Sequence, residues 1–201
     1  MNSVLTVIEE KRKEAEFTRR NKIHPHKFAL FVAIGSIVMM FAAFTSAYIV
    51  RRSAGNWLEF RLPNIFFLNS LVIALSSLTL QISYNAFKKG REKIWRWMLF
   101  TTFLLGLAFV ALQYQGWLAM DAIGATFTAN PSSSFIWVIS GLHAAHVLGG
   151  IACLSVALAH AFLLPYKATA KRILRLELVV TYWHFVGILW LYLILFFVLQ
   201  S

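Results

Sequence analysis

Five long apolar runs alternate with short polar and basic segments along this chain, at about Phe28–Val50, Ile65–Phe87, Trp97–Tyr114, Phe135–Leu164 and Leu176–Leu199. A hydrocarbon layer about 30 Å thick needs roughly 20 apolar residues in helix, because lipid offers no partner to an unpaired backbone group. Each run approaches or exceeds that length. The pattern predicts an all-α, polytopic membrane bundle of five transmembrane helices over residues 28–199, after an N-terminal segment, 1–27. The fourth run is long enough to require tilt or an interfacial extension.

Composition agrees with the pattern. Of 201 residues 59% are hydrophobic, and the mean hydropathy is +0.68. The spans use most of the chain, which leaves no room for a soluble catalytic domain. The net charge of +11 changes the picture only through its distribution. Lys11, Arg12, Lys13, Arg19, Arg20, Lys22 and Lys27 precede the first span, and Lys88, Lys89, Arg91, Lys93 and Arg96 surround the second connection. Lys167, Lys171, Arg172 and Arg175 fill the fourth, whereas the first has Arg51, Arg52 and Arg61 and the third has none. Sixteen of the 19 basic residues fall on one side if the N-terminus is cytoplasmic and the C-terminus outside. That is a positive-inside asymmetry, with attraction to anionic headgroups, rather than a nucleic-acid footprint.

The first 27 residues mix both charges (Glu9, Glu10, Glu14 and Glu16 among the cations) and read as a cytoplasmic amphipathic helix or a flexible tail. They lack an apolar core before a small-residue cleavage site, so no signal peptide is expected. One cysteine, Cys153, allows no intramolecular disulfide. The longest connection, Gln115–Ser134, is small and polar, and its Pro131 before Ser132, Ser133 and Ser134 suits a helix start. Trp57, Trp95, Trp97, Trp117 and Trp137 sit where interfacial belts form.

Polar residues inside a bilayer are costly unless they face protein or water. The fourth run carries His143, His146, Gly150, Cys153 and His160 toward one helical face, and the fifth carries Glu177, Thr181 and His184 on one face. The second adds Asn69, Ser70, Ser76, Ser77, Thr79, Gln81 and Ser83. Haem ligation by His143 or His146 with His184 is disfavoured, because the antiparallel fourth and fifth helices set these residues at different depths. A metal held by His143 and His146 alone lacks a carboxylate or thiolate at matching depth. The preferred reading makes the histidines interhelical hydrogen-bonding groups. Glu177, the one acidic residue in or near the expected spans, fits a salt bridge at the cytoplasmic interface or a hydrogen bond to a neighbouring helix. No chain of carboxylates exists for a free-standing proton pump. Gly141, Ala144, Ala145, Gly149 and Gly150 let a neighbour approach the fourth helix closely.

One family brings these patterns together. Ser140-Gly141-Leu142-His143-Ala144-Ala145-His146-Val147-Leu148-Gly149-Gly150 resembles a signature of subunit III of haem–copper respiratory oxidases, best known from cytochrome c oxidase. Glu177 with Tyr182-Trp183-His184-Phe185-Val186 and Trp190 is similar to that family's last-helix signature. Weaker matches are Leu68-Asn69-Ser70 with Ser76-Ser77-Leu78-Thr79, and Leu105-Gly106, Phe109, Gln113 and Trp117. All fall in family order between about Phe28 and Leu199.

The resemblance implies a non-redox accessory subunit, without a catalytic site, haem or metal of its own. It would pack against the catalytic subunit I, where haem and copper reside, and beside other oxidase subunits, with structural phospholipid in a cleft and a place in a respiratory supercomplex left open. Nucleic acid is not an expected partner. The expected location is the bacterial cytoplasmic (inner) membrane. The residues it marks are structural: His143, His146, Glu177 and His184 as interhelical contacts, and Gly141, Gly149 and Gly150 as close-packing positions. The chain resembles a short form lacking the first two of seven helices. It departs from the pattern at Ile37, Gly116 and Gly187, where the family usually has carboxylates, and this favours a scaffold over a proton participant. A homologue serving a quinol oxidase or a nitric-oxide reductase remains an alternative. A haem-binding membrane cytochrome and a transporter are alternatives of other classes, the latter disfavoured because no inverted repeat or broken-helix pair is seen.

Overall fold

The computed structural model describes residues 24–200 except Glu59. Among them are five helices and no strands: α1 (Pro25–Ser53), α2 (Ile65–Lys88), α3 (Glu92–Ala122), α4 (Pro131–Leu163) and α5 (Ala170–Gln200). All five are long and apolar enough to cross a membrane. The expected helix or tail before His24 lies outside the described residues. Helix α1 starts inside the segment assigned to the N-terminus, with Pro25 at its first position and the His24 ring accepting from the His26 amide at 3.3 Å.

The largest boundary difference is in α3, expected over Trp97–Tyr114 but longer at both ends. The added turns carry Glu92, Lys93, Arg96, Gln115 and Asp121, polar residues that apolarity alone would place outside a span. Glu177 is therefore not the sole acidic residue near a span. The connection after α3 shrinks to eight residues, 123–130.

Two helix ends are set by glycine. Gly90 (φ +74°) and Gly124 (φ +80°) occupy the left-handed position after α2 and α3. In each case two backbone bonds turn back into the last helical turn: Arg91 N–H to Ala86 O (2.9 Å) with Gly90 N–H to Phe87 O (3.3 Å), and Ala125 N–H to Met120 O (3.0 Å) with Gly124 N–H to Asp121 O (3.0 Å). This is the Schellman arrangement, which satisfies carbonyls the helix itself cannot. Helix α4 starts with Pro131 behind an Asn130 cap, whose side chain accepts from the Ser132 amide. The same Asn130 amide bonds the Leu58 N–H and the Asn56 carbonyl, fastening the α1–α2 connection to the start of α4.

Helices α2, α3, α4 and α5 form a ring of antiparallel neighbours, closed by α5 against α2. Helix α1 lies outside the ring, against α4 and α5 only. Its buried residues are Phe41, Thr45 and Tyr48, whereas α5 buries ten. At the end of the bundle where α5 begins, Tyr166 donates to the Phe87 carbonyl at 2.6 Å and packs with Phe87 and Trp95. Trp95, expected in an interfacial belt, is buried in this cluster, while Trp97 is exposed.

Candidate functional site

The centre of the ring is built on Trp183 and Trp190, seven residues apart on α5 and therefore on one face. The Trp183 N–H donates to Ser76 Oγ on α2 at 3.0 Å. Its six-membered ring lies where side chains at Gly106 (α3) and Gly150 (α4) would be: a Cβ on either glycine would stand 2.9 Å from a Trp183 carbon. Four helices thus meet at one indole. Two turns on, the Trp190 N–H donates to Ser70 Oγ on α2 at 3.1 Å. Its ring stacks on His143 (α4; centroids 5.0 Å, 30°) and meets Phe109 (α3) edge-on at 5.2 Å.

Most of the polar face of α2 is taken up by such contacts. Besides Ser70 and Ser76, Asn69 donates to Gln113 (3.0 Å), Thr79 bonds Thr102 (2.8 Å), Gln81 bonds His184 (3.1 Å) and Ser83 donates to the Trp95 carbonyl (3.0 Å). Each joins α2 to α3 or α5. Such bonds contribute on average about 0.6 kcal/mol in membrane bundles, so their number, not any one of them, sets the register.

The residues singled out from sequence fall into different roles. His184 Nε2 makes an interhelical bond to Gln81. Glu177 pairs with Lys27 on α1 at 2.6 Å, with Arg172 and Arg175 not its partners. His146 departs from the expected hydrogen bonding but keeps interhelical contacts: its Nδ1 bonds Leu142 O one turn back in α4, its ring meets Phe41 on α1 at 5.8 Å, and Tyr182 O–H donates to its backbone carbonyl at 3.0 Å. His143 corrects the expectation further. It is fully buried among Phe41, Phe109 and Trp190, and neither ring nitrogen has a hydrogen-bond partner. Ring stacking, not hydrogen bonding, joins it to the other helices.

Of the three close-packing glycines, Gly150 meets Trp183, and a Cβ at Gly149 would meet only the Tyr182 hydroxyl at 3.7 Å. Gly141 does not fit that role within this chain, because a Cβ there would meet nothing within 4 Å. Cys153 and His160, placed on the same face as His143, are exposed, since the stripe drifts off the side that α3 and α5 cover. Apolarity alone singles out neither Gly106 as a packing position nor the two tryptophans as the core. Their seven-residue spacing was the available signal.

These residues do not form a haem pocket. His143 is level with Trp190, and His184 lies six residues earlier on α5, about 9 Å away along the helix at 1.5 Å per residue. Trp190 stacks on the His143 ring, and Phe41 and Phe109 meet it edge-on. Among the described residues, no three His, Cys, Asp or Glu side chains come together as a metal site.

Residues 26–201 match the family described as cytochrome c oxidase subunit III. The chain belongs to that family. A probable cytochrome c oxidase subunit 3 of Nocardia farcinica is 30% identical over 191 residues, covering 85% of this chain and 88% of its own length. The cytochrome c oxidase subunit 3 of Cyprinus carpio is 34% identical over 128 residues, or 63% of this chain, and that of Gallus gallus is 33% identical over the same length. In both vertebrate proteins the matched region is 46% of the relative. The family's subunit III thus supplies the frame for the three departures. A Cβ at Gly116 would stand 3.1 Å from the Phe66 ring, and one at Gly187 would stand 3.2 Å from Ser77 Oγ. Ile37 packs against the apolar core. Two of the three positions have no space for a longer side chain without moving a neighbour.

Proposed function

We propose that this chain is an accessory, non-redox subunit that stabilises the catalytic subunit I of a bacterial respiratory oxidase and holds lipid beside it, in the cytoplasmic membrane. Membership of the subunit III family supports the complex. The observation carrying the accessory role is the aromatic centre of the ring, where Trp190 packs on His143 and Phe109 and Trp183 takes the space left by Gly106 and Gly150. The polar groups of Trp183, Trp190, His184 and Glu177 are spent on holding helices together. What remains for partners is the outer surface, including most of α1.

A groove of about 700 Å³ between the end of α1 and the start of α4 supports the lipid role. Ala47, Val50 and Phe135 line it with apolar side chains, and Arg51, Asn130 and Ser134 add polar and cationic groups. An acyl chain with a polar headgroup matches that mixed lining.

The test is to tag the chain at its N-terminus, purify it from native membranes in mild detergent, and record an absorbance spectrum with a protein inventory. Oxidase haem together with a large catalytic subunit is the expected result. A colourless chain recovered alone overturns the partnership, and a chain recovered alone with bound haem overturns the structural role of the histidines.

A further inference from the structure

In the layer around Trp190, three helices each carry buried polar atoms without protein partners. Asn69 on α2, Gln113 on α3 and His143 on α4 are each at most 1% exposed. Asn69 Nδ2 donates to Gln113 Oε1, which leaves Asn69 Oδ1 and Gln113 Nε2 unpaired, and both ring nitrogens of His143 are unpaired. Exchanging O and N in the two amides does not help. One bond between two amides always leaves one acceptor and one donor group over. A neutral imidazole likewise keeps one N–H donor and one bare nitrogen in either tautomer.

The three residues share a level of the bundle. Ser70, next to Asn69, bonds Trp190; Trp190 stacks on His143; Phe109, one turn before Gln113, meets His143 at 5.9 Å. Leaving a buried polar atom unpaired costs about 1–3 kcal/mol, and this layer has four. Its unmet needs are balanced, with donors and acceptors in equal number. A water molecule offers two of each and in protein interiors makes about three bonds to such groups.

We propose that the Asn69–Gln113–His143 layer is an internal hydration site, holding ordered water between α2, α3 and α4 within the membrane. The water satisfies Asn69 Oδ1, Gln113 Nε2 and the His143 ring, and makes this polar layer part of the bundle's structure.

The test is a high-resolution structure of the chain in lipid nanodiscs with whatever subunits accompany it, together with thermal unfolding of His143→Phe and of Asn69→Leu/Gln113→Leu. Water density within hydrogen-bonding distance of at least two of the three side chains is expected, and a lower unfolding temperature in both variants. No density at the layer overturns the proposal. So does a higher unfolding temperature in both variants, because apolar groups of similar shape stabilise a dry site by removing unpaired atoms. The readouts come from this chain, so they report on the layer even where no oxidase subunit accompanies it.

Discussion

At the scale of residues, the molecule is organised by shape more than by charge. Trp183 fits only because Gly106 and Gly150 have no side chains, so three positions on three helices are interdependent. Trp183→Ala removes a buried indole and its bond to Ser76, and is expected to cost about 3–5 kcal/mol by analogy with large core truncations. Thermal unfolding in detergent measures it. Gly150→Val forces the same site to overpack, with an expected cost of about 1–3 kcal/mol. Gly141→Val is the matched control: with open space around it, it leaves the unfolding temperature of the isolated chain nearly unchanged. Equal losses at Gly141 and Gly150 would refute the packing assignment.

At the scale of elements, α1 is the weakest attachment. It buries three residues and touches α4 and α5 alone. Local opening follows burial, so its amides in the isolated chain are expected to exchange with deuterium well before those of α5. The ion pair between Lys27 and Glu177 fastens one end of α1 to α5, but about a third of each side chain is exposed. Screening limits such a pair to under about 1 kcal/mol. Lys27→Glu should weaken the attachment slightly, and Lys27→Glu with Glu177→Lys should restore it, as read by the exchange rates of α1. Without recovery in the double variant, Lys27 and Glu177 act separately.

The helices were readable from sequence because a bilayer imposes a length on apolar runs. Their ends were less so, since α3 continues past the hydrocarbon on polar residues such as Glu92 and Asp121. The choice of core face was harder still. Helix α4 shows the difficulty most, since its apolar residues are spread nearly all round and mark no side that faces protein. The polar residues carried that information better: the face of α2 bearing Asn69, Ser76, Thr79 and Ser83 is the face packed on α3 and α5. For His143 the sequence suggests an interhelical hydrogen bond, whereas its contacts with other helices are made by its ring, against Trp190, Phe109 and Phe41.

At the scale of the whole molecule, an odd number of spans puts the two ends of the described chain on opposite sides. Positive charge predicts which. With Cys153→Ser as background, a cysteine at Ala129 is expected to react with a membrane-impermeant maleimide in intact cells, and one at Lys89 only after the membrane is opened. The reverse pattern would invert the topology. The basic residues at the Lys89 end, joined across two connections by Tyr166 on Phe87, would then lie against the opposite leaflet.

The indole of Trp183 has a last consequence for traffic through the membrane. With a side chain from α5 wedged against α2, α3 and α4 at one level, the axis of the bundle is stoppered there. Any water in the neighbouring layer sits in a cul-de-sac rather than on a thoroughfare. A solute is therefore expected to pass along the flanks of this chain, which would meet it as a wall does, by the surface it offers.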